Sequence, residues 1–145
     1  MKPAFRRLAA PALILAFALG ASLLGCSSGS DEGTVESTFD IRLTTGTAMR
    51  GVSLTLMKAS DFSVVSIEPA DDPIGSGSCS ENVTLNEIRA TCATTTTSFS
   101  APIDAWRITL SHQSDRDLDQ GVLNVVCEAS DATGTTFAIG CQVVQ

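Results

Sequence analysis

Thr136-Phe137-Ala138-Ile139-Gly140-Cys141-Gln142-Val143-Val144 alternates apolar and polar residues with a period of two, placing Phe137, Ile139, Cys141 and Val143 on one face. That period belongs to an extended strand with one buried side. The same alternation recurs upstream in Phe39-Ile41-Leu43, in Val52-Leu54-Leu56 and in Trp106-Ile108-Leu110, with a denser apolar run from Phe62 to Ile67 that ends at Pro69. Gly, Pro, Asn and Asp separate the runs, and beyond the N-terminal leader no stretch carries a 3.6-residue apolar stripe. Short strands at this spacing predict an all-β fold, an antiparallel β-sandwich of jelly-roll or Ig-like type, over residues 39–145.

The four cysteines of this region strengthen the expectation. Cys79 and Cys92 flank a hairpin whose turn falls near Asn86, with Val83 facing Ile88; Cys127 and Cys141 flank the turn signal Asp131-Ala132-Thr133-Gly134. Four cysteines allow three pairings, and these separations favour the two local ones. Closing a loop of about 14 residues stabilises a chain by roughly 3 kcal/mol. No Cys-x-x-Cys occurs and His112 is the sole histidine, a pattern that argues against zinc and against a redox-active dithiol.

The N-terminus carries a different signal. Lys2, Arg6 and Arg7 precede an apolar run from Leu8 to Leu24, which closes on Leu23-Leu24-Gly25-Cys26. The run is shorter than the roughly 20 residues of a comfortable bilayer span and is followed by Ser and Gly rather than by a basic cluster. These residues resemble the leader of bacterial lipoproteins, with Leu23, Gly25 and Cys26 at the most demanding positions. The resemblance implies cleavage of the helical signal peptide 1–25 and attachment of fatty acyl chains to Cys26. Two or three such chains hold a protein on a membrane without any transmembrane helix. Ser27, where an Asp would favour the inner membrane in that family, implies the outer membrane in a cell with two membranes and the outer surface in a Gram-positive cell. Residues 26–38 hold one Val among small and acidic residues and read as a lipidated tether.

Loss of the three basic leader residues takes the net charge from −7 to −10. Such a surface repels nucleic acid and anionic lipid, so the expected partners are the membrane through its lipid anchor and a protein or polysaccharide ligand. No cofactor is expected.

A second resemblance covers residues 39 to 144. Gly51-Val52-Ser53-Leu54-Thr55-Leu56, then Phe62 to Pro69, then Asn86-Glu87-Ile88-Arg89-Ala90, then Asp119 to Val126 follow an order similar to cohesin-like and carbohydrate-module-like β-sandwiches. The Tyr-Asp-Pro that often follows the second strand of cohesins is replaced by Ala59-Ser60-Asp61. The resemblance implies a binding module rather than an enzyme.

Candidate reactive groups are few. His112 is expected at a strand end facing solvent; with Ser114 it forms the only conceivable base and nucleophile pair, and no Gly-x-Ser-x-Gly elbow is present. Asp104, Asp115, Asp117 and Asp119 could pair for glycoside hydrolysis, but their default is surface acid. The run Asp115-x-Asp117-x-Asp119 departs from a calcium loop, because Gly121 comes one place late and the twelfth position is Val126. Trp106 shares the inward phase of Ile108 and Leu110, which places it in the core rather than on a sugar platform. Thr94 to Ser100 reads as an exposed edge or loop, the segment an enzyme inhibitor would present. The competing class to the binding module is therefore a small surface-tethered hydrolase or inhibitor.

Overall fold

The computed structural model describes residues 33–145. Cys26, the leader and most of the expected tether lie outside the described residues. Nine strands and one helical turn follow in chain order: β1 (Thr34–Leu43), β2 (Gly51–Lys58), β3 (Ser63–Pro69), β4 (Ser78–Val83), β5 (Glu87–Ala93), β6 (Ile103–Gln113), α1 (Leu118–Gly121), β7 (Val122–Ser130), β8 (Thr136–Ile139) and β9 (Cys141–Val144). They form a four-stranded sheet in the order β3-β6-β1-β9 and a five-stranded sheet in the order β4-β5-β2-β7-β8, with every pairing antiparallel. The fold is an all-β sandwich, as the alternation predicts.

The period-two residues make the core. Phe39, Ile41 and Leu43 from β1, with Trp106, Ile108 and Leu110 from β6, face Val52, Leu54 and Leu56 from β2 and Ile88 and Ala90 from β5, all of them buried. Full burial of a large apolar side chain stabilises by about 1.5–3 kcal/mol, so this double layer is the main source of stability. Outward positions of the same strands carry Thr, Ser, Arg, Asp and Glu.

Two expectations are corrected. Residues 34 to 38, expected in the tether, form the first half of β1 and pair with Thr109 to Gln113 of β6. This half is largely exposed and polar, so it lacks the apolar signature by which a strand is read from sequence. The quoted C-terminal run is two strands rather than one: Ile139 pairs with Cys127 in the five-stranded sheet, whereas Cys141 pairs with Leu43 in the four-stranded sheet. Gly140 is the corner. Its N–H donates to Thr45 Oγ1 at 2.7 Å and its carbonyl accepts from the Thr44 N–H at 2.8 Å. A β-carbon on Gly140 would stand 2.5 Å from Thr44 Oγ1, so the close approach of the two chain segments excludes a side chain there.

Candidate functional site

Both local disulfides are formed. Cys79 and Cys92 occupy opposed positions of the β4–β5 hairpin, in the register that also pairs Val83 with Ile88. Cys127 and Cys141 join β7 to β9 and so clamp one sheet to the other. The first bridge secures an edge strand whose residues are all exposed. The second closes the side of the sandwich at which the chain changes sheets.

His112 does not face solvent. It continues the inward phase of Trp106, Ile108 and Leu110, and is 5% exposed. Its ring stacks on Phe62 with centroids 4.7 Å apart. Nδ1 lies 2.8 Å from the Gln113 carbonyl and Nε2 lies 2.8 Å from Ser37 Oγ. A carbonyl can only accept, so Nδ1 carries the proton of the neutral ring and the Ser37 hydroxyl donates to Nε2. The expected partner Ser114 is not the one used; its N–H donates to the Gly33 carbonyl at 3.0 Å. Ser37 and His112 line a cavity of about 440 Å³ together with Arg116, Asp117, Gln120 and Gln145. Arg116 spans the group, 3.3 Å from Asp61 and 5.8 Å from the centre of the Phe62 ring, and its Nε is buried without a hydrogen-bond partner.

Lys58 is the second buried polar residue that was not foreseen. It continues the phase of Val52, Leu54 and Leu56, is 3% exposed, and donates through Nζ to the carbonyls of Phe62 at 2.6 Å and Leu85 at 2.5 Å. Burial lowers its pKa from the ordinary lysine value. Both residues follow the inward phase of their strands, His112 against the expectation that it faces solvent.

The acidic candidates do not converge. Asp104 makes a bidentate pair with Arg42 across β1 and β6, at 2.7 and 2.9 Å, on the outer face of the four-stranded sheet. Hydrogen bonding to Arg42 is the first cause that holds its carboxyl below the usual range. Arg107 is paired in the same manner with Asp40, at 2.9 and 3.0 Å. Asp115 and Asp119 are exposed, and Asp117 flanks α1, where its N–H donates to Gln120 Oε1 at 3.3 Å. Among the described residues no three His, Cys, Asp or Glu side chains are grouped to hold a metal ion.

The four-stranded face is therefore a ladder of charges that satisfy one another, Thr38 and Thr109 adding a hydroxyl pair at 2.8 Å. The five-stranded face is different. Ser53 and Thr55 of β2, Thr91 of β5 and Glu128 of β7 stand in adjacent rows, with Val126 47% exposed among them. At the Gly51 end the rows surround a depression of about 160 Å³, where Ser53, Thr91, Glu128, Ser130 and Thr136 join Val52, Cys92, Ala93 and Ala129 in the lining. Hydroxyls and one carboxylate thus rim a shallow recess whose exposed walls are mostly apolar. The recess depends on register across four strands, β5, β2, β7 and β8, which no single stretch of sequence displays.

Among the described residues every aromatic ring but the half-buried Phe137 is covered. Trp106 is 1% exposed, as its phase predicts, and Phe39, Phe62 and Phe99 are buried with it.

Among solved structures, the non-cellulosomal cohesin from the hyperthermophilic archaeon Archaeoglobus fulgidus matches with a TM-score of 0.57 and 11% sequence identity, over 72% of this chain and 72% of that one. The likeness establishes a cohesin-like β-sandwich fold. No family model and no curated protein matches the chain. Where many cohesins carry Tyr-Asp-Pro, the Ala59–Phe62 turn of this chain closes with a 3.2 Å bond from the Phe62 N–H to the Ala59 carbonyl, and Asp61 reaches Arg116.

Proposed function

We propose that the protein is a membrane-anchored envelope lipoprotein whose sandwich serves as a non-enzymatic binding module, with a protein ligand seated on the outer face of the five-stranded sheet. The observation that carries this reading is the hydroxyl-rimmed recess around Gly51 on a cohesin-like fold. Five strands about 4.8 Å apart and seven residues long present roughly 450 Å². That is somewhat over half of the ~800 Å² each partner contributes to a standard interface, and the adjoining turns supply more. A protein is favoured over a polysaccharide because sugar-stacking platforms need several exposed aromatic rings, whereas Trp106 and three phenylalanines are in the core and Phe137 is half-buried. The anchor is Cys26, in the setting Leu23-Leu24-Gly25-Cys26. The outer membrane is the proposed location in a cell with two membranes.

Two measurements test the proposal. A photo-crosslinking residue at Thr91 in the full chain should yield a protein adduct in cells, whereas the same residue at Thr109 on the other sheet should not; equal behaviour at the two positions rejects the docking face. Cys26→Ser should abolish fatty acid labelling and release the protein from membranes, and unchanged membrane partition rejects the anchor.

The Ser37–His112 bond favours a second reading, a small hydrolase, because a hydroxyl donating to imidazole is the arrangement of an activated nucleophile. Here the distal nitrogen is held by a main-chain carbonyl rather than by a carboxylate. A fluorophosphonate probe decides the matter: labelling of the wild type that disappears in Ser37→Ala establishes the hydrolase, and no labelling eliminates it.

A further inference from the structure

The exposed apolar side chains are distributed unequally between the two ends of the sandwich. At one end, Gly33 accepts from the Ser114 N–H, His112 stacks on Phe62, and Lys58 joins Phe62 to Leu85. Lys58 also pairs with Val122, the residue before Leu123. This single end therefore holds the place where the chain enters the domain and the β4–β5, β2–β3 and β6–β7 connections. Leu85 is 68% exposed and Leu123 63% exposed, the largest values among the large apolar residues described, and Val35 and Met57 lie at the same end with 40% and 37%. At the opposite end the connections bury theirs: Met49 and Ile74 are fully covered and Phe99 is 5% exposed.

We infer that the end bearing Leu85 and Leu123 rests on the bilayer surface, the two leucines entering its interfacial layer on either side of Lys58. The inference rests on the proposed acylation of Cys26. Because β1 begins at Thr34, residues 27–33 alone separate the anchor from the folded domain. Fully extended, that link spans no more than about 25 Å. The domain is thus held at its membrane with this end foremost, at a high effective concentration, and weak apolar contacts suffice to orient it. Leu85 and Leu123 flank the central strand β2, about 10 Å apart by two strand spacings. The occupant is an uncharged or zwitterionic lipid surface, since the exposed Asp115, Asp117 and Asp119 belong to the same end and are repelled by anionic headgroups.

The test uses the full lipidated chain in phosphatidylcholine vesicles, carrying Leu85→Trp or Leu123→Trp, with Thr95→Trp at the far end as control and buried Trp106 as a constant background. Bromine-labelled phosphatidylcholine should quench and blue-shift Leu85→Trp and Leu123→Trp but not Thr95→Trp, and added phosphatidylglycerol should reduce the quenching at least twofold. Quenching no greater than in the control, with acylated Cys26 confirmed by mass, overturns the docking and leaves the anchor standing. A blue shift without bromolipid quenching assigns the leucines to a protein contact and likewise overturns it. Absence of the acyl mass overturns the anchor and the docking together.

Discussion

Cys127 and Cys141 are bonded to each other although they belong to different sheets, their α-carbons 6.1 Å apart across the edge of the sandwich. Cys141 lies immediately after the corner at Gly140, so the bond fixes β9 at the point where the chain leaves one sheet for the other. β9 has only four ladder partners in β1, Asp40 to Leu43, and depends on this bond more than a longer strand would.

Replacing both Cys127 and Cys141 by Ala should cost about 3 kcal/mol in urea unfolding, from the loop of 14 residues that the bond closes. Cys79→Ala with Cys92→Ala should cost a similar amount, its separation being 13. Hydrogen exchange should separate the two cases. Amides of β9 and of Asp40 to Leu43 accelerate in the first, and those of β4 and its β5 partners in the second. Acceleration in β4 on loss of Cys127 and Cys141 contradicts the assignment.

Gly121 abuts the ring of Phe62 so closely that a β-carbon would stand 2.4 Å from two ring carbons. Gly121→Ala should therefore destabilise by about 1–3 kcal/mol, the usual cost of overpacking. Since Phe62 stacks on His112, the imidazole resonances should shift as well. A substitution without effect on either readout shows that the contact is looser than described.

Acid should weaken the fold partly through Asp104. Its carboxyl is held below the usual range by its hydrogen bonds to Arg42, so its contribution is complete above the unfolded value of about 3.9 and is lost as pH falls through the lowered folded value. The side chains of Arg42 and Asp104 are 41% and 19% exposed, so solvent screens the pair and keeps its contribution small. Asp104→Asn should lower stability at neutral pH by that contribution and flatten the loss below about pH 4, so that the two proteins converge in acid. Identical acid curves for the two proteins rule the pair out as a contributor.

Ser37→Ala should cost about 1 kcal/mol, because it leaves the buried Nε2 of His112 without its donor. Ser37→Thr retains a hydroxyl and should recover most of the loss. Equal melting temperatures for Ser37→Ala and wild type place a water or another group in that role.

Legibility in the sequence followed the physical signal at each place. The hairpin at Cys79 and Cys92 was readable down to the Val83–Ile88 pair, because turn residues and period two agree there. Gly140 was not readable as a corner, since the inner faces of both sheets meet one core and alternation is the same on either side. His112 and Lys58 hold inward positions in phase with their apolar neighbours, and the polarity of His112 alone is what points it to solvent in the sequence. The start of β1 was missed because Thr34 to Thr38 pair through the main chain with little side-chain burial. The recess near Gly51 arises from four strands in register and leaves no mark on any one of them.

β1 has a mechanical consequence. It is an interior strand of its sheet, bonded to β6 along its whole length and to β9 near its end, and the chain preceding Gly33 continues from its first residue. Tension arriving from that side runs along the strand axis and loads the rungs in shear, many at once, instead of peeling them singly. In single-molecule pulling from the N-terminus the domain is expected to yield at a higher force than when drawn by an attachment on the edge strand β4, so it keeps its shape under a load applied along β1.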